Sequence, residues 1–157
     1  MLDQSTAAAI ALALISSRLD YANSVLFGSP DKYITRLQRV QNAAARIVAQ
    51  KSCYLSSVDT VRELHWLPIQ WRIKFKLVSL NFKATHNEVP PYLALLLIPY
   101  RPSRILRSPF SSNLLQVART NLIFGSRSFR AVAPTVWNSL PTDLSVHQIH
   151  LTHSGTT

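Results

Sequence analysis

The chain has 157 residues, 47 % of them apolar, which is enough to bury a core of single-domain size and too apolar for a disordered tail. Seventeen Lys and Arg stand against seven Asp and Glu, a formal charge of +10, so a polyanionic partner is favoured and nucleic acid comes first. The single cysteine, Cys53, excludes an intramolecular disulfide and a cysteine-based zinc finger and fits a reducing compartment; neither Gly-rich phosphate-loop motif occurs.

The longest unbroken apolar run, residues 7–15, falls far short of the ~20 residues that span a bilayer. Asp3 precedes it where a secretory signal carries positive charge, so the expected location is intracellular, nuclear or cytoplasmic, with no membrane partner. Residues 5–19, rich in Ala, Leu and Ile, predict a first helix that closes before Gly28 and Pro30. Ser29-Pro30-Asp31 then supplies an N-cap, a Pro at the first helical position and an acid at the positive end of the dipole. In the helix that follows, Ile34, Leu37, Val40, Ala44, Ile47 and Val48 recur at helical steps and define its expected apolar face.

Ser56 and Asp59 have capping-box spacing and predict a short helix that ends before Pro68. Residues 69–85 predict a long helix with two apolar stripes, Ile69/Ile73/Leu77/Leu80/Ala84 and Trp71/Phe75/Val78/Phe82, a pattern expected of a helix sandwiched between neighbours. Pro90-Pro91 starts a further helix that Pro99 ends, and residues 127–140 resume helical spacing around Pro134. The fold class expected is mainly α, about five helices, with room for a short β-hairpin near 114–124. The expected organisation is a helical region at 1–99, an Arg-rich connector with a small helical element at 100–141, and a flexible tail at 142–157.

Several blocks, taken in order, resemble one family. They are 17–28 (SRLDYANSVLFG), 36–46 (RLQRVQNAAAR), 64–68 (LHWLP) with 72–76 (RIKFK), 91–93 (PYL), 104–108 (RILRS) and 133–141 (APTVWNSLP). Together they are similar to the region that follows the polymerase palm in non-LTR, LINE-type, Jockey-like retrotransposon reverse transcriptases. The chain departs from the family pattern at Ala22, commonly Cys, at Ala118, commonly Pro, and after His147. The resemblance implies a C-terminal fragment of an RNA-directed DNA polymerase. It would hold the thumb-like part, with the palm upstream and RNA or an RNA–DNA hybrid as partner.

Two-metal polymerisation needs carboxylates clustered around ions ~3.5 to 4 Å apart, and the seven acids here include no adjacent pair. The expectation is a non-enzyme with no catalytic residue, no metal site and no cofactor. His147, His150 and His153 recur every third residue in a polar tail with no acid or Cys to complete a site. Trp66, Trp71 and Trp137 sit among apolar residues and are expected in the core rather than as stacking platforms.

The basic residues carry the functional signal. Lys32, Arg36, Arg39 and Arg46 share one helical face, and no acid occurs between Lys32 and Val58, an all-positive stretch that phosphates would neutralise. Arg72, Lys76 and Lys83 form a second strip on the long helix. Arg101, Arg104 and Arg107 open a stretch, 89–142, that has six Arg, no Lys and no acid, a bias toward the planar cation that grips phosphate bidentately. Two other readings compete: a helical protein–protein assembly module, and a stand-alone basic nucleic-acid-binding protein.

Overall fold

The computed structural model describes residues 3–50, 56–86, 90–102 and 114–141. The fold is mainly α, as expected. The chain divides into two compact units, Met1–Lys76 and Leu77–Thr157. The change of composition after Pro99 is not the boundary between them, because Leu97 and Leu115 lie in one core and hold both sides of that point together.

In the first unit, α1 (Gln4–Ala11) runs through a π-helical stretch, Leu12–Ser16, into α2 (Ser17–Asp20). Ala22 then takes a left-handed conformation, φ 49°, and Gly28 another, φ 71°, so the chain reverses on either side of a 3-10 turn at Asn23–Leu26. α3 (Asp31–Ala49) starts one residue later than the sequence suggests, with Pro30 rather than Ser29 at the cap and Asp31 in its first turn. α4 (Ser57–Glu63) forms as expected, but Ser56 makes no side-chain cap. Its predicted partner Asp59 instead lies 4.0 Å from Arg62.

The end of α4 decides where the core aromatic goes. His65 adopts φ 54°, its N–H donates to Arg62 O at 2.9 Å, and the N–H of Trp66 donates back to Val61 O at 2.9 Å. This paired closure of a helix end brings the residue beyond it against the last turn, and Trp66 and Val61 share one core cluster with Ala44, Ala45 and Val48 of α3. Ala8, Ala11 and Ile15 pack on the same cluster.

α5 (Ile69–Thr85) has the predicted bounds. Its first stripe is buried at Ile69, Ile73, Leu77 and Ala84, as expected. Its second is not: Trp71 is 57 % and Phe75 67 % exposed. Among the described residues no neighbour covers that side of the first two turns, so the expectation of a helix enclosed on both faces fails there, and with it the core assignment of Trp71.

In the second unit, α6 (Pro91–Ala94) is shorter than predicted. α7 (Phe129–Asn138) accommodates Pro134 inside the helix. Ala84, Leu97, Leu115 and Ala133 form the core, with Leu93, Phe129 and Trp137 packed on it. The hairpin expected near 114–124 does not form. Residue 115 pairs with Pro99 in an isolated antiparallel bridge, closed by Tyr100 N to Leu114 O at 2.9 Å and Gln116 N to Ile98 O at 2.8 Å. On α7, Asn138 Oδ1 accepts from Leu115 N at 3.0 Å and its Nδ2 donates to Leu115 O at 2.8 Å. An amide that satisfies both backbone groups of one residue substitutes for a neighbouring strand, and no glycine occurs within 114–124 to turn the segment back on itself.

Candidate nucleic-acid interface

The face of α3 that enters the core is Ile34, Gln41, Ala44, Ala45 and Val48. Lys32, Arg36 and Arg39 therefore fall on the solvent side, where all are exposed. Among the described residues, no carboxylate pairs with these three cations. Lys32 Nζ sits 5.0 Å from the Tyr33 ring centroid, a cation–π contact that keeps its charge at the surface.

Two expected apolar positions lie on this side as well. Val40 is 52 % and Ile47 74 % exposed, so the buried face is narrower than the predicted one and passes through Gln41 instead. Arg46, expected with the exposed cations, is half-buried, and its Nε has no hydrogen-bond partner. It lies at the rim of the buried face, so it is not a purely solvated phosphate ligand.

Arg72 is corrected more strongly. Its Nη1 donates to both Asp20 carboxylate oxygens, at 3.0 and 2.8 Å, and its Nε donates to Leu67 O at 2.8 Å. Only 13 % of the side chain is accessible. The guanidinium ties α2 to the start of α5 and is already neutralised, so it is removed from the phosphate-binding set. Asp20, which the sequence places near Arg18, finds its partner 52 residues away.

Lys76 in the first unit and Lys83 and Arg101 in the second are exposed. Arg104 and Arg107 lie outside the described residues, as do Cys53 and the His147/His150/His153 series. His86 closes α5, its Nδ1 2.8 Å from Phe82 O and its ring stacked on Phe82 at 4.0 Å, a packing and capping role.

Nothing in the sequence singles out Gln38, Gln41 and Asn42, yet these amides hold α3 to its neighbours. Gln38 Nε2 donates to Gln41 Oε1 at 2.9 Å and Asn42 Oδ1 at 2.8 Å, while Gln38 Oε1 accepts from Ile69 N at 3.0 Å. Gln41, fully buried, donates to Leu67 O at 2.9 Å. Asn42 Nδ2 donates to Ser57 Oγ at 3.2 Å. Three side chains of α3 thus fix the entry to α5 and the start of α4. Spacings of three and four residues on one helix were the available signal.

Between these elements lies a groove of about 520 Å³ with Ile34, Val61 and Trp66 in its lining and Arg39, Arg62 and Trp71 beside them. Lys74 Nζ stands 4.7 Å from the centroid of the Trp71 ring.

No protein-family model matches the chain, and no curated protein or solved structure matches it either.

Proposed function

We propose that this chain is a non-catalytic C-terminal fragment of a non-LTR retrotransposon reverse transcriptase. Its exposed cations hold template or primer nucleic acid by the phosphates, while a catalytic palm lies upstream. The observation that carries the reading is the solvent face of α3. Lys32, Arg36 and Arg39 stand there with no acid among the described residues to neutralise them. A helix face that is solvated for its own sake normally mixes signs, whereas one that lies along a phosphate backbone gains by releasing condensed counterions. The ordered sequence blocks supply the polymerase context, and Asn138 and Gln41, which lie in two of those blocks, each hold backbone of another segment in place.

A second reading has its own support. Val40 and Ile47 lie on the same side of α3 as the cations and are more than half exposed, which suits a helical assembly module that docks protein. Salt separates the two. The double variant Arg36→Gln/Arg39→Gln and the parent are titrated with single-stranded RNA and with an RNA–DNA hybrid at several salt concentrations, circular dichroism confirming the fold. Each lost phosphate contact lowers the slope of log affinity against log salt by about one unit, equally for all sequences. An unchanged slope in the folded variant rejects phosphate binding at this face and favours protein docking.

A further inference from the structure

We infer that the groove between α3, α4 and the start of α5 takes an unpaired nucleotide of a single strand, its base stacked on Trp71 and its phosphate held by Arg39 and Arg62. The inference rests on the nucleic-acid reading and assigns it a site.

Trp71 is the starting point. It is a large aromatic side chain near the start of α5 and is 57 % exposed, so its ring face is open to stacking. It lines the groove, whereas Lys74, which sits over the ring at 4.7 Å, does not. The indole thus borders the groove and also carries an ammonium 4.7 Å from its centroid. The cation–π contact restrains the ring.

The groove has the size of a small-molecule site, about 520 Å³, and a mainly apolar lining that includes Ile34, Val61 and Trp66. Its charged lining residues are both arginines. Arg62 is loosely joined to Asp59 at 4.0 Å with both side chains largely exposed, a pair that a phosphate can displace at little cost. A half-exposed aromatic ring, apolar side chains and two guanidinium groups lining one groove match a base with its attached phosphate, since stacking takes any base and arginine grips the backbone.

Arg39 links this site to the α3 face. It belongs to the exposed row with Lys32 and Arg36 and also lines the groove, so a strand running along α3 passes the groove mouth. A duplex cannot use the site, because its bases are stacked and paired.

The test uses the full chain with Trp71→Ala and Trp71→Phe, a single-stranded RNA oligonucleotide and a hairpin-closed RNA duplex. Base–aromatic stacking is worth about 1–3 kcal/mol, so Trp71→Ala should weaken single-strand binding about 5- to 150-fold. Its salt slope should match the parent's, its duplex affinity should be unchanged, and Trp71→Phe should recover most of the loss. A folded Trp71→Ala variant with parental single-strand affinity overturns the site, and so does an equal loss on both RNAs. In either case the parent's salt slope still supports phosphate binding, and the groove is left to a protein segment. A parent that binds neither RNA overturns the site and the functional reading together.

Discussion

Among the described residues, the first unit holds all the acids, Asp3, Asp20, Asp31, Asp59 and Glu63, whereas the second holds none alongside Lys83, Arg101, Arg119, Arg127 and Arg130. The two units therefore dispose of positive charge differently. In the first, folding selects which cations stay available: Arg72 is taken by Asp20, Arg46 is drawn half under the surface, and Arg36 and Arg39 are left in water. In the second, Arg101, Arg119 and Arg130 are exposed, and no acid occurs among the described residues of their unit. Polar side chains differ in the same way. The first unit uses Gln38, Gln41 and Asn42 as a network between helices, while the second uses one amide, Asn138, to complete a two-segment bridge.

The largest effect should come from the aromatic residue that the first unit buries through the left-handed turn at His65. Truncation of Trp66, 8 % exposed and in the core with Ala45 and Val48, should cost about 3–5 kcal/mol, a large share of a small domain's stability. Thermal unfolding followed by circular dichroism measures it. A change below 1 kcal/mol would mean that this cluster is not what holds the first unit together.

Next in size is Asn138→Ala in the second unit. It strips both hydrogen bonds from the backbone of buried Leu115, and leaving such groups unpaired costs about 1–3 kcal/mol. Amide exchange should accelerate at Leu115 and also at Tyr100 and Gln116, whose N–H groups close the bridge to residues 98–100. Faster exchange at Leu115 alone would show that the bridge stands without the amide.

The smallest and sharpest test pairs one arginine from each unit. Arg72→Gln should lower stability by about 1 kcal/mol, because it breaks a partly buried ion pair, and should leave the salt slope of RNA binding at the parental value. Arg130→Gln, on an exposed position with no acid among the described residues of its unit, should change stability by no more than about 0.5 kcal/mol and reduce the slope. The reverse result would erase the distinction between a cation consumed by the fold and one left for a partner.

The sequence by itself determined the helical class, the bounds of α5 at Ile69 and Thr85, the buried stripe through Ile73 and Leu77, and the excess of positive charge. These follow from local spacing and composition, which are properties of neighbours along the chain. Only the tertiary structure decided that Trp66 is inside and Trp71 outside, since both occur in apolar sequence and what separates them is whether another element covers that side. It likewise decided that Arg72 answers Asp20 across 52 residues, that Leu115 pairs with Pro99 and Asn138 instead of turning into a hairpin, and that a groove opens beside Arg39. Periodicity shows which residues share a face, but the contact that buries or frees that face belongs to a partner distant in sequence, and a one-dimensional pattern does not carry its position.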